Sequence, residues 1–191
     1  MDVARSDTPF PRVGRRVTGY HVRQVDRFIT RARRCYNLDD PGGEQLTGAE
    51  IRAVAFSRSR GGYDPRSVDA ALDRLEDVFA RRERERFIEE KGEEAWLRSV
   101  GRTAAILRRR LGRPAGERFR RPARVRSRSY DVEDVDRLCD AVLGYLESDA
   151  PLSVTMVRHA VFREVRGSEG YGENQVDAFL DRVVDLMAGI D

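Results

Sequence analysis

A tyrosine stands five residues ahead of a Val-Asp pair four times in this chain. Tyr20 precedes Val25-Asp26, Tyr63 precedes Val68-Asp69, Tyr130 precedes Val135-Asp136, and Tyr171 precedes Val176-Asp177. The pattern Y-x4-V-D takes four of the six tyrosines. Three of them follow glycine (Gly19, Gly62 and Gly170), and Ser129 holds that place in the third copy. An internal repeat sets the architecture before any single motif does. The tyrosines are 43, 67 and 41 residues apart, so the copies come as two pairs with a spacer between them.

The second member of each pair carries its own leader, LTGAEIRAVAF (46–56) or LSVTMVRHAVF (152–162), both of the form L-[ST]-x3-[IV]-R-x3-F. The first members have basic leaders instead, FPRVGRRV (10–17) and FRRPARVR (119–126). The simplest history is duplication of a pair, over about 8–80 and 117–190. The expected pieces are repeats over 8–37, 46–80, 117–147 and 152–190, with a spacer over 81–116.

Apolar residues after each Val-Asp recur with helical period. The stripes are Val25, Phe28, Ile29 and Ala32; Val68, Ala71, Leu72, Leu75, Val78 and Phe79; Val135, Leu138, Cys139, Val142 and Leu146; and Val176, Phe179, Leu180, Val183 and Met187. Asp64 before Pro65 reads as a helix start, and Asp131 is placed likewise. The recurrent Asp after Val falls near the first turn, where negative charge suits the helix dipole. Thr47 and Glu50 read as a capping box, with Leu46 and Ile51 as its hydrophobic staple; Ser153 caps the corresponding leader. The spacer carries a further stripe through Trp96, Leu97, Val100, Ala104, Leu107 and Leu111, weakened by Gly92 and Gly101 and ended by Gly112 and Pro114. No segment alternates with period two, so no sheet is expected. The predicted fold is all-α: four short helix–loop–helix repeats in two pairs joined by a helical spacer.

Composition narrows the chemistry. Charged residues are 36% of the 191, and no apolar run approaches the length of a membrane span. The opening MDVARSDTPFPRVGRR lacks the apolar stretch of a secretory signal. Cys35 and Cys139 are too few for a disulfide framework or a zinc cluster, and His21 and His159 add no ligand set. Cys139 lies on an apolar stripe and reads as core; Cys35 follows a basic run and is a candidate reactive thiol. The paired carboxylates Asp39-Asp40 and Glu93-Glu94 read as loop and solvated helix face. GGYD (61–64) lacks the Lys and Ser/Thr of a phosphate-binding loop. The expectation is a protein without catalytic residues, cofactor or metal. Gly-Tyr reads as a folding signature: the Gly for positive φ, the Tyr packing its ring on the stripe with a wet hydroxyl.

Lys91 is the only Lys among 36 basic residues, a bias that base composition explains without invoking nucleic acid. Charge is nonetheless segregated: net +6 over 1–36, −4 over 37–80, +10 over 81–130 and −9 over 131–191. Three attractions fit this: to anionic lipid heads, to nucleic acid, or to the chain's own acidic repeats.

The sequence of leader helix, Arg/Gly loop, Gly-Tyr and Val-Asp helix resembles the N-terminal domain of DivIVA-type cell-division and polarity proteins. The best match is L-T-x3-I-R-x3-F-x6-Y-D-x3-V-D-x2-L in residues 46–72, and 152–180 fits nearly as well. The first and third copies match from Gly-Tyr or Tyr onward, an arrangement similar to multi-repeat DivIVA-domain proteins of actinobacteria. The resemblance implies a scaffold without catalysis, whose domain dimerises through parallel helices and whose loop touches the cytoplasmic membrane at poles or septa. The family's membrane-inserting aromatic stands three residues before the loop tyrosine; the matching positions here are Val17, Arg60, Ser127 and Ser168. Peripheral contact through Arg15, Arg16, Val17, Arg58 and Arg60 is therefore the expectation. No long coiled coil follows the fourth repeat, so a large polar network is not expected. The expected partners are proteins of the division or cell-wall machinery and an anionic membrane face, in the cytoplasm. Pairing of repeats within the chain would give a monomer, the other expectation being a small homo-oligomer. The alternative is a nucleic-acid-binding protein using the Arg-rich stretch 81–130.

Overall fold

The computed structural model describes residues 9–37, 45–148 and 150–190. The chain divides into two compact units, Met1–Glu83 and Arg84–Asp191. Each has its own core. No helix among the described residues is long and apolar enough to cross a membrane.

The first unit opens with strand β1 (Thr18–Tyr20) and helix α1 (Val22–Asn37), followed by the short helix α2 (Gly48–Arg52), strand β2 (Arg58–Arg60) and helix α3 (Pro65–Lys91). The predicted start signals hold. The Asp64 carboxylate accepts from the Ser67 N–H at 3.0 Å. Thr47 and Glu50 form a reciprocal capping box on α2, and Leu46 and Ile51 are buried beside it. The stripe of α1 (Val25, Phe28, Ile29, Ala32, Cys35) shares one core with Leu46, Ile51, Tyr63, Val68 and Phe79. Cys35, the candidate reactive thiol, is a buried core residue. Within this core Arg52 reaches the buried Glu76 at 3.3 Å.

α3 crosses from the first unit into the second and stops at Lys91. Gly92 then takes φ +82° and starts α4 (Glu93–Leu111). Of the two glycines in the predicted spacer helix, Gly92 breaks it, while Gly101 is carried inside α4.

The second unit continues with strand β3 (Arg128–Tyr130), helix α5 (Val132–Ser148), the short helix α6 (Val154–Arg158), strand β4 (Glu164–Arg166), a single 3₁₀ turn (Gly167–Glu169), strand β5 (Tyr171–Gly172) and helix α7 (Glu173–Ile190). Ser153 caps α6 through the Met156 N–H. The core gathers Ala104, Leu107 and Leu111 of α4, Val135, Cys139 and Val142 of α5, Val157 of α6, and Val176, Phe179, Val183 and Met187 of α7. Val100, Ala104, Leu107 and Leu111 of the predicted spacer stripe thus form one wall of this core, while Leu97 of that stripe is exposed. Cys139 is buried here, and burial pushes its thiol up to about 12.

The chain is mostly helical but not all-α. β1 and β2 form a two-stranded antiparallel sheet; β3 lies between β4 and β5 in a second antiparallel sheet. The expectation of no sheet fails because none of these strands exceeds three residues. Three residues are too few to display the alternation by which a strand is read from sequence.

Candidate functional site

The two signature-tyrosine segments of each unit pair antiparallel with one another, Gly-Tyr with Gly-Tyr in the first unit and Ser-Tyr with Gly-Tyr in the second. In the first unit the Tyr20 N–H donates to the Tyr63 carbonyl and the Tyr63 N–H to the Tyr20 carbonyl, both at 2.9 Å. Such a closely spaced antiparallel pair brings the flanking Cα atoms together. A Cβ on Gly19 would lie 2.2 Å from the Tyr63 carbonyl oxygen, and one on Gly62 2.2 Å from that of Tyr20. In the second unit a Cβ on Gly170 would lie 2.3 Å from the Tyr130 carbonyl oxygen. The glycine before the tyrosine is there for close backbone approach. The expected positive φ belongs to other residues, Gly61 (+64°) and Gly167 (+54°) in the loops. Ser129 takes the glycine's place in the third copy, buried, with its hydroxyl donating to the Gly167 carbonyl at 2.7 Å.

The tyrosine hydroxyls explain the Val-Asp pair. Tyr63 donates to Asp26 Oδ1 at 2.8 Å, and Tyr171 donates to Asp136 at 3.1 Å. Tyr20 faces Asp69, and Tyr130 faces Asp177 and Glu173. Each signature tyrosine therefore meets the Val-Asp aspartate on the other long helix of its unit. The four valines, Val25, Val68, Val135 and Val176, are buried in the cores. The four aspartates are each the fifth residue of their helix, past the first turn, so the tyrosine rather than the helix dipole accounts for them. Nor are the hydroxyls wet at Tyr63 and Tyr171, whose side chains are fully buried. Burial, then the neighbouring aspartate, pushes Tyr63 up to about 12. Burial does the same for Tyr171 and raises Tyr20 and Tyr130. Asp177 is also raised, by burial first, against the lowering effect of the Tyr130 hydroxyl.

The paired strands hold out a turn in each unit. In the first, the Val17 N–H closes on the Gly14 carbonyl at 2.8 Å, and the Gly61 N–H donates to the Val17 carbonyl at 2.9 Å. Arg15 and Arg16 sit in this turn, the Arg15 backbone against Gly61, while β1–β2 pairing sets Arg60 opposite Thr18 and Arg58 opposite Tyr20. Arg15, Arg16, Val17 and Arg60 thus adjoin one exposed tip, with Val17 56% exposed, while Arg58 lies at the other end of β2 opposite Tyr20, exposed but away from the turn.

The second unit builds a like turn from Arg124, Val125, Arg126 and Ser127, of which the sequence reading named Ser127 alone as a loop position. The Ser127 N–H closes on the Arg124 carbonyl at 3.0 Å, and the Gly167 N–H donates to the Ser127 carbonyl at 2.9 Å. Val125 is 81% exposed, flanked by the exposed Arg124 and Arg126. Arg128 stands directly across the sheet from Arg166. Counting three residues back from the tyrosine reaches Ser127, whereas Val125 lies five back. The visible signal was the basic leader itself, which brackets Val125 with arginine. Below the turn, Arg163 bonds Asp131 and Asp134 at 2.9 Å each and pulls the Asp134 carboxyl below its ordinary range. Arg118, also missed, is buried; its guanidinium donates to the Asp136 carbonyl at 2.8 Å and to Asp140 at 2.5 Å.

No protein-family model, curated protein or solved structure matches the chain. The other candidate groups do not converge. Glu93 and Glu94 are exposed in the first turn of α4, His159 ends α6 at the surface, and Asp39-Asp40 lie outside the described residues.

Proposed function

We propose that the chain is a non-enzymatic scaffold or adaptor of the DivIVA-like kind. It would be built from four repeats in two pairs and recruit division or cell-wall proteins at the inner face of the cytoplasmic membrane. The observation that carries this reading is the exposed valine held among arginines at the strand tip of each unit. An apolar residue ringed by cations suits the interface of an anionic bilayer, where each Arg near the surface contributes about 1 kcal/mol. The directly opposed Arg128 and Arg166 support the same reading, because like charges across a sheet destabilise it unless an anion lies over them.

Co-sedimentation tests the proposal, using phosphatidylglycerol and phosphatidylcholine vesicles at low and physiological salt. Wild type should pellet with the anionic vesicles alone, and less at the higher salt. Arg58→Ala/Arg60→Ala should weaken binding about 30-fold if each Arg contributes ~1 kcal/mol. Val17→Asp and Val125→Asp should each weaken it further than their charge predicts. Absence of binding at both salts sinks the membrane contact and leaves protein recruitment, to be sought by pulldown. Salt-sensitive binding of DNA or RNA without vesicle binding would favour the nucleic-acid reading through 81–130.

A further inference from the structure

The second unit has a cleft apart from the strand tips. It occupies about 390 Å³ between the last turns of α4 and the first turns of α7, within the size range of small-molecule sites. Arg109, Arg110 and Arg113 line one side and Arg182 of α7 the other. The amides of Asn174 and Gln175 stand in the first turn of α7. Leu107 and Phe179, both buried in the core, form an apolar floor. Every described lining residue is a cation, an amide or apolar, although residues 131–191 carry a net charge of −9.

These arginines are crowded. Arg110 is pulled below its ordinary range, by burial first and then by the charges of Arg113, Arg120 and Arg182. It is also fixed in place: its guanidinium donates to the Arg118 carbonyl at 3.1 Å and lies 5.5 Å from the centre of the Phe119 ring. The C-terminal dipole of α4 accounts for arginines in its last turn. It does not account for Arg182 in the middle of α7, nor for the floor and the amides.

We propose that this cleft binds a small organic phosphate of the nucleoside polyphosphate class. The guanidinium forks match phosphate oxygens. The Leu107–Phe179 floor covers one ring face, and the Asn174 and Gln175 amides face the ring edge. A bare polyphosphate leaves floor and amides unused; a fatty acid offers four arginines a single carboxylate. The proposal does not depend on the vesicle result.

The test is isothermal titration of the full chain in magnesium-free buffer with ATP, adenosine and inorganic tripolyphosphate. ATP should bind at one per chain, about tenfold more tightly than either of the others, and Arg113→Ala and Arg182→Ala should each cost about tenfold. Ala178→Trp keeps every charge and fills the cleft, and should abolish binding. Failure of ATP to bind overturns the proposal. So does tripolyphosphate binding as tightly as ATP, or ATP binding untouched by Ala178→Trp. The two arginine variants lie at exposed positions and keep the test decisive if Ala178→Trp does not fold.

Discussion

Tyr63 and Asp26 are 37 residues apart in sequence and 2.8 Å apart in the fold. Burial and the aspartate hold the Tyr63 hydroxyl proton up to about pH 12, against an ordinary tyrosine value of about 10. The folded state therefore favours the protonated phenol. That contribution is fully present below about pH 10 and is lost as the pH rises through about 12. Tyr171 follows the same course beside Asp136. Alkaline titration followed by circular dichroism should show unfolding across this window. Tyr63→Phe should be less stable at pH 7, because Asp26 loses its donor, and its stability should fall less steeply between those values. An equally steep fall in the variant would remove the tyrosine from the account. The neighbouring glycines make a separate test. Gly19→Ala, Gly62→Ala and Gly170→Ala each set a Cβ within 2.3 Å of a backbone carbonyl oxygen, a clash that side-chain rotation cannot relieve. Each should cost at least ~2–3 kcal/mol by urea denaturation. Gly101→Ala meets nothing within 4 Å inside α4 and should stabilise by up to about 1 kcal/mol.

Among the elements, the helices were legible and the strands were not. Val25, Phe28, Ile29 and Ala32 declare α1 because a helical stripe extends over several turns. Asp64-Pro65, Thr47-Glu50 and Ser153 mark helix starts because a cap is a local hydrogen bond between residues three apart. β1 through β5 come from long-range pairing and leave no local trace. The candidate tip was read for the first unit, where Arg15, Arg16 and Val17 stand near the tyrosine. It was missed at Val125 because the turn, not the count from Tyr130, decides which residue is exposed. The pairing of the signature-tyrosine segments was hidden for the same reason: the repeat shows in one dimension, its reciprocal contact only in three. The two caps differ in a testable way. Thr47 accepts from the Glu50 N–H, and the Glu50 carboxylate accepts in return from the Thr47 N–H at 2.9 Å. Among the described residues, Ser153 accepts from the Met156 N–H without a reciprocal carboxylate, since Met156 stands where Glu50 does. Thr47→Ala should cost about 1 kcal/mol or slightly more, and Ser153→Ala somewhat less, in thermal or urea unfolding.

For the whole molecule, two cores mean two sites of vulnerability. Phe79 is fully buried in the first unit, and Phe79→Ala should cost about 3–5 kcal/mol there. Native-state hydrogen exchange should show α1 amides losing protection while those of α5 and α7 keep theirs. Equal loss in both units would mean that the chain unfolds as one cooperative body.

The Tyr–Asp crossing also bears on how such a chain can change over generations. A tyrosine lost from one segment strands a carboxylate on the other helix of its unit. A bulkier residue in place of one glycine collides with the opposite backbone. Drift at one position is therefore answerable to its counterpart some forty residues away, and half a unit has no self-sufficient existence. The smallest piece of this chain that can be copied, moved or lost intact is the pair.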